Sequence, residues 1–190
     1  MTEIQKRRAK LYRKLKKDSL LILFSGPLVK KSADSFYPFA VNKNFYYLTG
    51  VKQHDSIFIA FKKEQEVTEH LLLLPLDPLK AKWDGPRLEK DVAQELSMII
   101  NISDLDKLSD LLTKLKDEVK HVYFDLEPGL LSQGFELIKD YAAREFSDFN
   151  VLDIYEEIIK LRMVKSRAEV KLIEQSIKLT RKALLSAQKQ

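Results

Sequence analysis

Two rhythms of apolar and polar positions run along this chain. Ile4, Leu11, Tyr12 and Leu15 recur at helical spacing with basic residues around the rest of each turn, which predicts an amphipathic opening helix. Asp18 then leads into SLLILFSG, a short apolar run closed by Gly26-Pro27. SIFIAFK (56–62) and EHLLLLPL (69–76) are two further runs, apolar on both faces, and all three read as strands inside a covered sheet. Pro75 and Pro78 end the last of them, because proline cannot donate to a ladder. Residues 87–96 predict a short helix and MIINI (98–102) a short strand. Asp104 is placed to cap a helix whose leucines at 105, 108, 111, 112 and 115 share one face. HVYFDL (121–126) predicts a strand, Pro128 opens a helix to about Arg144, and NVLDI (150–154) predicts a last short strand. This order implies an α/β fold with a mixed β-sheet flanked by helices.

The C-terminal stretch has a different character. Ser166-Arg167-Ala168-Glu169 has the form of a capping box, and Val170, Ile173, Ile177, Leu184 and Leu185 continue a helical apolar stripe. No glycine, proline or polar turn stops that helix before Gln190. The pattern is expected of one domain over 1–160, then a linker and the first helix of a second domain over 161–190.

Composition narrows the class. With 45% apolar and 32% charged residues, the 190-residue chain has the balance of a folded soluble protein. LLILF (20–24) and LLLLPL (71–76) are too short to span a bilayer, and the first seventeen residues lack a secretory apolar core. There is no cysteine, so neither disulfides nor thiol chemistry enter, and a cytoplasmic location is the default expectation. The net charge of +5 is unevenly spread: residues 1–17 hold eight Lys/Arg against one acid, and 160–190 hold nine against two. The segment between is acidic, with sixteen against twenty-five. No nucleic-acid motif accompanies the basic ends, so they read as solvated helix faces, with neither nucleic acid nor membrane as partner.

Candidate chemistry is sparse. His54, His70 and His121 are widely separated, with His70 and His121 at strand starts, and no metal-ligand spacing occurs. No phosphate-cradling or nucleophile-elbow motif occurs in a chain with five glycines. The residues therefore assign no catalytic group and no metal ligand to this chain. Two stretches stand out instead. FYPFAVNKNFYYLTG (36–50) is dense in aromatic residues and fits a core segment, a ligand platform or a family signature. PLDPLKAKWDGPRL (75–88), read as a loop, holds the sole tryptophan, Trp83, followed by Gly85 and Arg87. Such a tryptophan either stacks on a peptide or partner, or folds back on its own domain.

The ordered set Asp34, YPF (37–39), NKNFYYLTG (42–50), WDGPR (83–87) and VYFD (122–125) resembles the N-terminal, creatinase-like domain of the Xaa-Pro aminopeptidase and prolidase family. LRMVKSRAEVKLIEQSIKLT (161–180) looks like the lead into that family's catalytic domain, so the resemblance covers essentially the whole chain. Asp34, Tyr37, Asn44, Phe45, Tyr46, Tyr47, Gly50 and Gly85 carry the signature. Ala40 and Lys31-Ser32 depart from it. The resemblance implies a sheet-and-helix domain in which 44–49 forms a strand ended by Gly50. It also implies a separate pita-bread domain whose two Asp, one His and two Glu bind two divalent metal ions, usually manganese. Those ligands belong beyond this sequence. The activity implied for the parent enzyme is hydrolysis of peptides with proline second, by an aminopeptidase or a dipeptidase. The chain itself is expected to be a non-catalytic domain that supports a dimer or tetramer and narrows access to the active site. Trp83 and, with it, Arg87 are the implied substrate-flanking residues, reaching towards a neighbouring subunit. The same fold reused as a binding module without catalysis is the alternative.

Overall fold

A computed structural model of the chain describes residues 1–188. Its centre is a six-stranded mixed sheet in the order β6-β5-β4-β1-β7-β8. The strands are β1 (Ser19–Phe24), β4 (Ile57–Lys63), β5 (Glu66–Leu73), β6 (Asn101–Asp104), β7 (His121–Phe124) and β8 (Asn150–Asp153). β1 pairs antiparallel with β4, and β4 with β5; the pairs β1–β7, β7–β8 and β5–β6 are parallel. A small exposed hairpin, β2 (Lys30–Ser32) and β3 (Ser35–Phe36), stands apart.

All six residues of SLLILF are buried because the central strand is covered on both faces. Alternation sends Leu21 and Leu23 into one core and Leu20, Ile22 and Phe24 into the other. The first core is closed by α1 (Glu3–Tyr12), α2 (Lys43–Thr49), α4 (Lys90–Ser97) and α7 (Tyr155–Met163), through Leu11, Phe45, Leu48, Ala93 and Ile158. The second is closed by α5 (Leu108–Lys116) and α6 (Ile138–Glu145). Here Phe24, Phe124, Tyr141 and Phe146 pack mostly edge to face, with centroids 5.3–6.5 Å apart. Each fully buried aliphatic or aromatic side chain contributes about 1.5–3 kcal/mol of transfer free energy. Among the described residues, no helix is long and apolar enough to cross a membrane.

Several local expectations give way. Residues 44–49 form helix α2, not a strand, and 75–88 is no simple loop: it contains α3 (Pro78–Asp84). Both helices have side-chain N-caps that the aromatic and proline content obscured: Asn42 accepts from the Asn44 and Phe45 amides, and Asp77 from those of Leu79 and Lys80. Pro128 does not open a helix. Residues 128–137 form turns and an isolated Leu131–Leu137 bridge, and α6 begins only at Ile138. Asp104 sits at the N-cap position of a 3₁₀ turn (Leu105–Lys107) without capping it; its carboxylate meets Lys90 at 2.8 Å. β6 starts at Asn101, because Met98 adopts the left-handed conformation that ends α4. β5 starts at Glu66, which puts His70 inside the strand and half-buried, where burial pushes its pKa down.

Candidate functional site

One end of the sheet gathers the residues of interest. The chain leaves β1 and β7 there, enters β4 there, and leaves β5 there. α2 lies at this end. Its cap, Asn42, reaches the Asp125 carboxylate at 3.5 Å, and the Asn44 amide donates to the same oxygen at 2.8 Å. Asn44 and Asp125 are both buried, and burial holds the Asp125 carboxyl above the ordinary carboxylate range while the Asn44 hydrogen bond opposes the shift. The Asn44 side-chain oxygen, Oδ1, in turn accepts from Arg162 Nη1 at 2.6 Å. One turn on, the Tyr47 hydroxyl donates to the Leu161 carbonyl at 3.1 Å, so two residues of α2 grip the end of α7.

The remaining residues of that helix divide by face. Phe45 and Leu48 enter the core, whereas Tyr46 is turned outward with Lys52 Nζ 5.2 Å from its ring. Gly50 ends the helix at φ +72°, and its amide returns to the Tyr46 carbonyl. A Cβ there would lie 2.9 Å from Ile4 Cδ1 and 3.3 Å from the Leu96 carbonyl oxygen, so glycine is required both by conformation and by space.

The grip extends to α8 (Arg167–Ala187). Arg7 places its guanidinium 4.3 Å from the Tyr47 ring centroid, donates to the Tyr47 carbonyl and pairs with Glu169 at 3.2 Å. Glu169 also completes the capping box with Ser166. Beyond this anchored first turn, Val170, Ile173, Ile177, Leu184 and Leu185 are all exposed.

The second element is an arm. From Leu74 the chain runs out through Pro75, turns as α3, and returns at Gly85, where φ is +84°. Arg87 Nη1 donates to the Pro75 carbonyl and the Leu88 amide to Gln53 Oε1, closing the arm at its base. Leu76 and Leu79 are exposed on it, and Trp83 is 89% exposed. Beside the base lies a cleft of about 600 Å³ lined by Phe36, Phe39, His54, Lys80, Gly85 and Arg87, among others. His54 Nδ1 meets Asp55 Oδ2 at 2.6 Å in its wall.

Thus Gly85 and Arg87 come together at the cleft, while Trp83 stands outside it. Asp34 and Tyr37 are exposed on the β2–β3 hairpin, with Lys31 Nζ 6.0 Å from the Tyr37 ring. Asn44, Phe45, Tyr46, Tyr47 and Gly50 share α2. Sequence reasoning missed Arg7, Arg162 and the joining role of Asp125, whose partners lie 40 or more residues away and leave no local pattern. Among the described residues, no group of three or more His, Cys, Asp or Glu side chains could hold a metal ion.

Comparison with known proteins now bears on this arrangement. The family profile for "Aminopeptidase P, N-terminal domain" matches residues 4–123. The chain belongs to that family. A Xaa-Pro aminopeptidase of Haemophilus influenzae is 27% identical over 94% of this chain and 40% of its own length. Xaa-Pro aminopeptidase 3 of Mus musculus is 32% identical over 88% of the chain and 34% of its own length. Among solved structures, a putative aminopeptidase P from Bacillus anthracis superposes with a TM-score of 0.82 at 29% identity, covering 90% of this chain and 42% of that one. This aminopeptidase P N-terminal domain chain thus spans about two fifths or less of the relatives it matches. Its six-stranded sheet and flanking helices are the fold those neighbours share.

Proposed function

We propose that this chain is the non-catalytic N-terminal part of a proline-specific metallopeptidase, an Xaa-Pro aminopeptidase or dipeptidase. In this reading it supports oligomerisation and shapes access to an active site supplied by a separate domain. Residues 1–160 form the N-terminal domain, and 161–190 lead into the catalytic one. The two divalent metal ions, manganese by the family resemblance, belong to that catalytic domain.

The observation that carries the reading is the exposed Trp83 on an arm whose base is closed. An indole left in water at the end of a short, capped helix loses nothing by meeting a partner surface, and gains its burial when it does. Arg87 at the base and Trp83 farther out would flank a peptide entering a neighbouring subunit's site. The α8 stripe supports the same reading, because a row of exposed aliphatic side chains on an anchored helix suits a packed domain better than water.

The test uses two proteins. The 190-residue chain with Mn²⁺ is expected to show no Xaa-Pro hydrolysis, and a chain extended through the catalytic domain is expected to show it. In the extended protein, Trp83→Ala should alter peptide kinetics with melting temperature unchanged. Metal-dependent turnover by the 190-residue chain refutes the non-catalytic assignment. An extended chain that folds, binds peptide and never turns it over favours a binding module of the same fold.

A further inference from the structure

The cleft at the base of the arm has a chemistry of its own. Its volume of about 600 Å³ lies within the range of small-ligand sites. Three separate segments build it: the stretch through Phe36 and Phe39, the turn between α2 and β4, and the arm. Phe36, Phe39 and Leu74 give it an apolar side. The Phe39 ring meets the His54 imidazole at a steep angle, with centroids 5.9 Å apart, so that side is a packed wall.

The charged groups of the lining are mostly cations, one from each of three places. Lys52 comes from the turn between α2 and β4, Lys80 from α3, and Arg87 from the returning part of the arm. Both lysines are exposed, whereas Arg87 is half-buried and held in place by the Pro75 carbonyl on Nη1. A guanidinium has further N–H groups to offer beyond that one. Among the described residues, Asp55 is the one carboxylate of the lining, and its Oδ2 already meets His54 Nδ1 at 2.6 Å. Asp77 lies close by but is turned into α3, where Oδ1 accepts from the Leu79 and Lys80 amides at 3.1 and 3.0 Å. Cations beside an apolar wall select an anion joined to an apolar body. The planar fork of an arginine matches a carboxylate in particular. An inorganic anion would leave the Phe36 and Phe39 side unused.

We propose that this cleft binds the C-terminal end of a peptide, with the carboxylate on Arg87, Lys52 and Lys80 beside it, and the last side chain against Phe36 and Phe39. The inference rests on the peptidase reading for its choice of a peptide, and deepens it. The arm would then hold a substrate by its free carboxylate end, which favours short peptides over the interior of long chains.

Acetyl-Pro-Phe and its C-terminal amide are the probes, titrated into the ¹⁵N-labelled 190-residue chain. The acid is expected to shift the amides of His54, Gly85 and Arg87 saturably, with Kd at or below about 1 mM. The amide, which lacks the charge, should bind about tenfold more weakly. Arg87→Gln, which keeps an N–H for the Pro75 carbonyl, should erase most of that difference. Lys52→Gln, at an exposed position, should weaken the acid about two- to threefold and leave the amide and the melting temperature unchanged. Equal binding of acid and amide overturns the proposal, as do shifts that stay linear or centre elsewhere. So does a preference for the acid that survives Arg87→Gln, or inorganic phosphate that binds the same amides as tightly as the acid. None of these outcomes decides whether the extended chain hydrolyses Xaa-Pro peptides, so the cleft proposal can fail while the peptidase reading stands.

Discussion

Arg8 offers the sharpest test of how this domain is held together. It is 1% exposed, yet charged, and it makes three directed hydrogen bonds. Nε donates to Glu69 Oε1 at 2.8 Å on β5. Nη1 donates to the Leu48 carbonyl at 2.9 Å and the Ser97 carbonyl at 2.8 Å. Those two carbonyls belong to the last turns of α2 and α4, where helix acceptors have no intrahelical partner and the dipole is negative. One guanidinium therefore caps two helices and joins both to the sheet. Breaking a buried ion pair by removing one partner costs about 3–5 kcal/mol. Glu69 is partly solvated and keeps the Tyr12 hydroxyl as a donor, so the lower end applies to the pair itself. The stranded carbonyls then add about 1–3 kcal/mol each where water cannot reach them. Arg8→Met, which retains the side-chain bulk, is expected to cost at least about 3 kcal/mol, or about 6–12 °C in melting temperature for a chain of this size. Urea titration followed by far-UV circular dichroism measures it; Trp83 fluorescence would not, because that indole is already in water. Adding Glu69→Leu to Arg8→Met should recover less than half of the loss, since the carbonyls stay unpaired. A cost below about 1 kcal/mol, or near-complete recovery in the double variant, refutes the capping role.

Three further outcomes follow from particular positions. Gly50→Ala should destabilise by more than about 1–2 kcal/mol in the same assay, since the left-handed backbone and the Leu96 carbonyl both oppose a Cβ; a neutral result would mean α2 can end elsewhere. Trp83→Ala in this chain should leave urea stability within about 0.5 kcal/mol of the parent, and a larger loss would place the indole in the core. For Asp125 the folded-state pKa is raised, so between about 3.9 and that raised value the folded state binds more protons than the unfolded one. Stability relative to Asp125→Asn should therefore fall as pH rises through that window, and a carboxyl titration by NMR at or below about 3.9 would contradict it.

The strands at the centre of the sheet were legible from burial alone. β1 and the first half of β4 are covered on both faces, so an unbroken apolar run was sufficient to place them. α2 escaped because the family resemblance implied a strand there, although Asn42 and Gly50 already bracketed seven residues as N-cap and C-cap. α3 escaped similarly: Asp77-Pro78 is a helix start, but the neighbouring prolines and Gly85 suggested continuous loop. Residues 128–137 show the reverse error, since a proline that could open a helix was followed by Gly129 and Gly134 in turns. The joint was not legible at all. Arg8 and Glu69 are 61 residues apart, and Arg162 and Asn44 are 118 apart, so only the folded topology brings each pair together.

That topology gives the signature segment a physical meaning beyond packing. Phe45 and Leu48 would fill the core equally well on many helices, but Asn44 and Tyr47 do something packing cannot. They fix the position of α7 through directed hydrogen bonds, to the Arg162 side chain and to the Leu161 carbonyl, just before the chain turns into α8. Arg7 then ties the same Tyr47 to Glu169 in the first turn of α8. A helix that leaves a domain through one backbone connection would be free to swing, whereas these contacts give it a set direction. The exposed arm has the same logic, since Arg87 closes its base. Both projecting elements are thus anchored by arginines bonded to main-chain or buried amide oxygens, and neither anchor depends on the exposed residues it presents. Changing Trp83 or the α8 stripe should consequently alter what the domain meets without altering how it folds.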